Sequence, residues 1–137
     1  MTTRRSGASL FIIVLLLATG CQRRPAGQPE VGQVTGKITL DGEPLTDGIV
    51  YFIPPEGRSS VGNTDKNGVY VMGYLPKVLG ARLGKHKVVI KTYWPDETSP
   101  EALSAVDKIP KKYNSETTLT AEVKAGKNTI NFELTKD

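Results

Sequence analysis

Short stretches in which apolar and polar residues alternate recur along the chain from residue 31 onwards. In residues 32–40, for example, Val34, Ile38 and Leu40 share one face and polar residues share the other. Side chains of a β-strand point alternately to its two faces, so each such stretch predicts a half-buried strand. The alternating stretches are residues 32–40, 83–93, 119–124 and 130–134, and residues 61–65 and 69–72 flank the Asn67-Gly68 turn as the two predicted strands of a hairpin. This pattern limits the chain beyond residue 31 to a sheet-based fold.

A seventh strand and several turns complete the predicted fold. Residues 48–53 are continuously apolar and end at two prolines, which predicts a central strand covered on both faces. Asp41-Gly42 and Asn67-Gly68 are pairs that accept the positive φ angles of tight turns. The 137 residues include 14 glycines and nine prolines, which suits many turns. We therefore expect an all-β fold, an antiparallel β-sandwich of about seven strands in the prealbumin-like or immunoglobulin-like class.

The first 20 residues predict an export signal. Arg4 and Arg5 precede nine apolar residues at positions 10–18. A positively charged start followed by a short apolar run is typical of a secretory signal peptide. The run is too short for a membrane-spanning helix, which needs about 20 apolar residues. We therefore assign residues 1–20 to a signal peptide.

The signal ends in Leu17-Ala18-Thr19-Gly20-Cys21, which resembles the lipobox of bacterial lipoprotein precursors. The resemblance implies cleavage between Gly20 and Cys21, a diacylglyceryl group on the Cys21 thiol and an acyl chain on its new amino group. The family prefers leucine where this chain has Ala18. Cys21 is the single cysteine and cannot form an internal disulfide. An ordinary signal followed by a free thiol is the alternative. No cofactor is expected beyond the covalent lipid.

The charge distribution separates a tether from a near-neutral domain. Residues 21–30 are polar and rich in Pro and Gly, which predicts a flexible tether of at most about 30 Å. Arg23 and Arg24 in this tether either contact anionic head groups or are solvated charges. The chain carries a net charge of +4, but residues 31–137 contain 14 basic and 13 acidic residues and hence a net charge of +1. Such a domain offers little counterion release, which argues against a nucleic-acid partner.

Four segments with strand and turn chemistry span nearly all of residues 31–137. They are residues 34–45 (VTGKITLDGEPL), 62–70 (GNTDKNGVY), 84–90 (GKHKVVI) and 123–128 (VKAGKN). Together they resemble the carboxypeptidase regulatory-like domain, a transthyretin-like β-sandwich found as an accessory module and in small bacterial lipoproteins. The resemblance implies one domain over residues 31–137 without a catalytic role of its own. In that family a core tyrosine commonly occupies the position of His86.

Catalytic and metal-binding chemistry has little support in the residues. His86 is the only histidine, which excludes a multi-histidine zinc site. It alternates in phase with Val88 and Ile90, so a core or rim position is favoured over a general base beside a serine. Asp65 and Asn67 superficially match the start of a calcium loop, but no ladder of carboxylates follows, and a hairpin is expected. We expect neither an enzyme nor a metal site.

The connection at residues 94–116 is the candidate binding loop, because structureless connections of this length are uncommon and often functional. Its candidate binding residues are Tyr93, Trp94, Lys111, Lys112 and Tyr113. The aromatic residues, with Ile109, either plug the open end of the core or line a groove for a peptide or sugar. Five lysines have two alternative roles: they either face an anionic glycan or lipid, or they keep an outward strand face in water. They are Lys85, Lys87, Lys91, Lys111 and Lys112.

Part of this connection is predicted to be helical. Ser99 is a suitable N-cap, and a helix over residues 100–107 would end before Pro110. Such a helix would pack Leu103 and Val106 onto the sandwich.

The expected function follows from the anchor and from the absence of a reactive centre in the sequence. We expect a lipoprotein of the bacterial cell envelope, held in the outer membrane or on the periplasmic face of the inner membrane by lipid on Cys21. Its exported domain would be a non-catalytic interaction or structural module, with an envelope protein or a glycan as partner. Two alternatives are a glycan- or peptide-binding protein that uses residues 94–116, and a hydrolase that uses His86.

Overall fold

The computed structural model describes residues 27–104 and 107–137 of the chain. The predicted signal peptide, the cleavage site between Gly20 and Cys21, and the lipidated Cys21 lie outside these residues. Val106 of the predicted helix also lies outside them. Among the described residues, no helix has the length and hydropathy needed to cross a lipid bilayer.

Twelve strands and two short helical turns make up the described chain. The strands are β1 (Val31–Leu40), β2 (Glu43–Pro44), β3 (Gly48–Ile53), β4 (Ser60–Asn63), β5 (Val69–Val71), β6 (Gly73–Leu75), β7 (Val78–Leu79), β8 (Ala81–Arg82), β9 (Gly84–Thr92), β10 (Thr120–Val123), β11 (Lys127–Thr129) and β12 (Phe132–Leu134). The helix α1 spans Pro100–Ser104, and a single 3₁₀ turn spans Lys111–Tyr113. Strands of two or three residues, such as β2 and β7, are too short to leave an alternating pattern in the sequence.

The strands form two six-stranded sheets, which confirms the predicted all-β sandwich. The first sheet is built on β1, which pairs antiparallel with β2, β5 and β8. The second sheet has the order β10-β9-β3-β4-β6-β7, with all neighbours antiparallel. The apolar faces of β1, β3 and β9 meet in one core.

The last strands depart from the antiparallel prediction. β11 and β12 both pair with β1 in parallel orientation. The chain leaves β10 in the second sheet, turns at Gly126 with a φ of 88°, and returns along β1 in the first sheet. The amide of Gln33 donates to the Gly126 carbonyl oxygen at this crossing. A crossing from one sheet to the other allows the parallel direction, whereas a hairpin within one sheet would not.

The core contains aromatic residues from both sheets. Phe52 of β3 packs edge-on against Phe132 of β12, with ring centroids 6.2 Å apart. Tyr70 of β5 also stacks on Phe132, with ring centroids 6.4 Å apart. The hydroxyl of Tyr70 donates to the Ile130 carbonyl oxygen at 2.6 Å. Burial raises the pKa of Tyr70, so the phenol stays protonated and keeps this hydrogen bond.

The two predicted turns differ in their backbone. Asp41 and Gly42 both have positive φ, 51° and 83°, as their pairing predicts. At the second turn the prediction is wrong for Asn67, because only Gly68 has positive φ, 75°. The Asp65 carboxylate accepts from the amides of Asn67 and Val69, and these bonds hold Asn67 in an ordinary conformation.

The helix in the long connection is described over Pro100–Ser104, and it packs differently from the prediction. Ser99 caps it as expected, since its hydroxyl accepts from the Ala102 amide at 3.1 Å. Leu103 is 76% exposed and does not pack onto the sandwich, which contradicts the prediction. Ile109 fills the core instead. The Asp107 carboxylate binds the Ile109 amide and both the amide and hydroxyl of Thr92, and so turns Ile109 inwards.

Candidate functional site

A groove of about 800 Å³ lies on the outer face of the second sheet. Its floor is formed by Tyr51 and Ile53 of β3 and by Val89 of β9. The register of the two strands places Tyr51 beside Val89 and Ile53 beside Lys87. The side chains next to them in β3 and β9 point inwards and fill the core. The same pair of strands therefore contributes one face to the core and the other face to the groove. This volume and apolar floor are within the range of small-molecule binding sites.

Three lysines surround the apolar floor. Lys87 and Lys91 project from β9, and Lys111 comes from the 3₁₀ turn. Lys91 holds its ammonium group 5.9 Å from the centre of the Tyr51 ring. None of the three lysines forms an ion pair with an acidic side chain of residues 27–104 and 107–137. Lys87, Lys91 and Lys111 outnumber Asp107, the one acidic residue that lines the groove, so the groove presents a net positive charge next to an aromatic ring.

The segment from Asp107 to Ser115 forms one wall of the groove. Pro110, Asn114 and Ser115 line it. The side-chain amide of Asn114 donates to the Asp107 carboxylate at 3.3 Å and to the Ile109 carbonyl oxygen at 3.1 Å. The Asp107 carboxylate accepts hydrogen bonds from four uncharged groups, which fix its position in the wall. The wall is thus held to β9 by side-chain hydrogen bonds.

The floor tyrosine is neutral and partly covered. Partial burial, followed by the nearby Glu97 carboxylate, raises the pKa of Tyr51. Both effects disfavour the phenolate. Glu97 lies in the connection of residues 94–116, and its negative charge acts on Tyr51 with a sign opposite to that of Lys91. Tyr51 therefore offers an aromatic face and a hydroxyl that can donate or accept a hydrogen bond.

The predicted binding residues do not gather in one place. Lys111 lines the groove, but Lys112 and Tyr113 face the C-terminal strand, where both contact Thr135. Hydrogen bonds from the Thr135 hydroxyl and amide, with the field of Lys112, lower the pKa of Tyr113. Tyr93 is exposed, and Trp94 is partly buried at the start of the connection. Neither residue lines the groove.

Tyr51, Ile53 and Val89 were not predicted as site residues. The apolar run 48–53 indicated a strand covered on both faces, but Ile53 is 36% exposed and Tyr51 is only partly buried. The run lacks alternation because its outward side chains form a groove floor. The sequence signal for the groove was Tyr51, an aromatic residue within the apolar run 48–53, together with the outward lysines Lys87 and Lys91 of β9.

His86 lies in the core rather than in an open site. It is 2% exposed and packs against Phe52 with ring centroids 5.7 Å apart. Its Nδ1 donates a hydrogen bond to the Gly84 carbonyl oxygen at 3.0 Å. Burial, the largest effect, lowers the pKa of His86, and Arg82 lowers it further against the opposing Gly84 hydrogen bond.

We expect His86 to make the domain less stable in mild acid. The unfolded chain binds a proton near the ordinary histidine pKa of about 6.5, whereas the folded state resists protonation to lower pH. The His86 contribution is therefore complete above pH 6.5 and decreases as the pH falls towards the folded pKa, by at most about 1.4 kcal/mol per pH unit. Urea unfolding of wild type and His86→Phe between pH 5 and 8 measures it. A difference between the two proteins that does not change with pH would contradict this account.

The described residues show no cluster suited to a metal ion. Among residues 27–104 and 107–137, no group of three or more His, Cys, Asp or Glu side chains converges. The Asp65 carboxylate, which superficially matched a calcium loop, accepts from two backbone amides of its own turn. Its role in the described structure is to close the hairpin.

Comparisons with known proteins add no family to these observations. No family model matches the chain, and a search of curated proteins found no match either.

Proposed function

We propose that this chain is a membrane-anchored lipoprotein of a bacterial cell envelope, whose exported β-sandwich is a non-catalytic binding module. The observation that carries the anchor is the position of Cys21. It lies three residues after the end of the apolar run and ten residues before the first strand, which begins at Val31. A tether of this length keeps the sandwich within about 30 Å of the lipid. Several acyl chains on one residue hold a protein far more firmly than a single chain.

The binding role of the sandwich is supported by the groove beside β3 and β9. An apolar floor with unpaired lysines around it suits a ligand that carries acid groups. Catalysis by His86 is disfavoured because the ring is buried against Phe52 and its Nδ1 bonds to a backbone carbonyl. The binding surface therefore consists of the outer sheet face together with Lys111, rather than the whole of residues 94–116.

The anchor is tested by replacing Cys21 in a bacterial host. We expect the wild-type protein in the membrane fraction, resistant to high salt and released by detergent. Mass spectrometry of its amino-terminal peptide should show diacylglyceryl and acyl groups on Cys21. The Cys21→Ser variant should lose both lipids and the mature membrane-bound form.

Thr19→Ser is the matched control, since it changes the same pentapeptide but leaves the thiol in place. It should be processed and anchored like wild type. Recovery of wild-type mature protein in the aqueous fraction, with an unmodified Cys21 thiol, would refute the anchor and would leave the binding groove to be judged separately.

A further inference from the structure

The geometry of the groove points to an acidic polysaccharide as its ligand, and we infer that the sandwich binds glycan chains that carry carboxylate or sulfate groups. This inference deepens the proposed binding role and does not depend on the lipid anchor. It rests on three features of the described residues: the charge of the rim, the aromatic floor and the state of the strand backbone beneath it.

The charge of the rim selects an anionic ligand. Lys87 and Lys91 lie on the same face of β9 and are four residues apart, which separates their Cα atoms by about 13 Å. Lys111 adds a third ammonium group from the opposite wall. Asp107, the one acidic residue among those lining the groove, is engaged by four hydrogen bonds. Spaced positive charges of this kind suit a chain with repeated acid groups better than a single small anion.

The floor selects a ligand with flat, weakly polar faces. Sugar rings expose such faces through their C–H groups, and these stack on aromatic side chains. The Lys91 ammonium group lies over the Tyr51 ring, 5.9 Å from its centre, so an acid group bound to Lys91 would bring its sugar ring beside Tyr51. Val89 and Ile53 extend the apolar surface along both strands. The Tyr51 hydroxyl remains protonated and is available to sugar hydroxyls.

The strand backbone disfavours an extended peptide. Peptides that bind sheets commonly add a strand at a free edge, where main-chain hydrogen bonds supply affinity. The groove instead covers the face of β3, which is paired with β4 on one side and β9 on the other. Beyond β10, two groups on the remaining edge of β9 already have partners: the Val88 carbonyl oxygen accepts from the Thr117 hydroxyl, and the Thr92 amide donates to the Asp107 carboxylate. An acidic peptide in the groove would therefore lack the main-chain hydrogen bonds that a free strand edge supplies.

The position of the groove also disfavours a lipid head group. The described chain enters the sandwich beside Arg82, at the end where β9 begins. Lys87 and Lys91 lie about 10 Å and about 23 Å along β9 from Gly84. The groove therefore extends away from the tethered end, along the side of the domain. If the chain is anchored through Cys21, this placement leaves the groove on the side of the domain rather than at the end nearest the bilayer.

Binding assays with defined polymers test the inference. The detergent-solubilised full chain is titrated with polygalacturonate, heparin, neutral dextran, poly-glutamate and phosphatidylglycerol vesicles by calorimetry, at low and at physiological ionic strength. We expect binding to polygalacturonate or heparin that weakens as salt screens the lysines, and none to dextran. The preferred polymer distinguishes a carboxylated from a sulfated glycan.

Paired variants locate the site. Lys87→Gln/Lys91→Gln should weaken glycan binding by about fivefold or more, since each exposed charge pair contributes a modest amount. Tyr51→Ala should weaken it without changing its dependence on salt. Lys37→Gln/Lys127→Gln removes the same charge from the outer face of the other sheet, where both lysines are exposed, and should bind like wild type. Circular dichroism and thermal unfolding confirm that each variant is folded.

The outcomes separate this inference from the anchor. Absence of binding to both acidic glycans, equal losses in the groove and control variants, preferential binding to poly-glutamate, or vesicle binding that is lost in Lys87→Gln/Lys91→Gln would each overturn it. Cys21→Ser leaves the groove unchanged and should bind glycan like wild type. A protein that binds glycan but is not lipidated would contradict only the anchor, and a lipidated protein without glycan binding would contradict only the ligand assigned here.

Discussion

Phe52→Ala is expected to lower the free energy of unfolding by about 3–5 kcal/mol, which is the usual cost of removing a fully buried aromatic ring. Phe52 has no exposed surface and lies where the two sheets meet. Its ring contacts Phe132 from the first sheet and His86 from its own sheet. The cavity would therefore separate the layers at a central point. Urea unfolding followed by tryptophan fluorescence and circular dichroism measures the change.

Ile53→Ala is the matched control for this prediction. Ile53 is the next residue of the same strand, but it points outwards and is 36% exposed. Its replacement should cost about 1.5 kcal/mol or less, clearly below the cost at Phe52, since part of its side chain is already in contact with water. Equal costs for the two substitutions would show that β3 does not have the inward and outward faces described here.

Gly36→Ala is expected to destabilise the domain by about 3 kcal/mol or more. A Cβ at this position of β1 would overlap the Ile130 carbonyl oxygen and approach the Tyr70 ring at 2.9 Å. The same carbonyl accepts the Tyr70 hydroxyl at 2.6 Å. Overpacking typically costs about 1–3 kcal/mol, and a buried hydrogen bond left without its partner costs a further 1–3 kcal/mol, roughly.

Gly73→Ala tests whether this effect comes from the close approach. Gly73 also lies in a strand, and its added Cβ would meet the Val61 carbonyl oxygen at an ordinary distance of 3.6 Å. This control should change stability by less than about 0.5 kcal/mol. Equal tolerance of Gly36→Ala and Gly73→Ala would contradict this account. It would mean that the backbone at residues 130–131 lies farther from β1 than described.

Local chemistry explains which predictions were confirmed. Alternation placed Val34, Ile38, Val88 and Ile90 in the core, because a strand fixes the direction of neighbouring side chains without reference to the rest of the chain. The Asp41-Gly42 turn was predicted for the same reason, since its positive φ angles depend on two residues.

Long-range contacts explain where prediction was wrong. Nothing near Leu103 in the sequence shows that Asp107 binds Thr92 and that Leu103 stays outside, whereas the burial of Ile109 in the core was one of its two predicted alternatives. The parallel pairing of β11 with β1 also joins residues that are far apart in the sequence. Such pairings depend on which sheet the chain enters after each turn.

The sequence by itself determined that residues beyond 31 form strands, which of their side chains face inwards, and that Cys21 follows an export-like apolar run. These features depend on neighbouring residues, so they can be read from spacing alone. Only the tertiary structure decided that Tyr51, Lys91 and Lys111 share one groove while Tyr93 and Lys112 lie elsewhere. The groove joins two strands and a loop turn that are separated in the chain, and their meeting depends on sheet order and on the hydrogen bonds that hold the loop against β9.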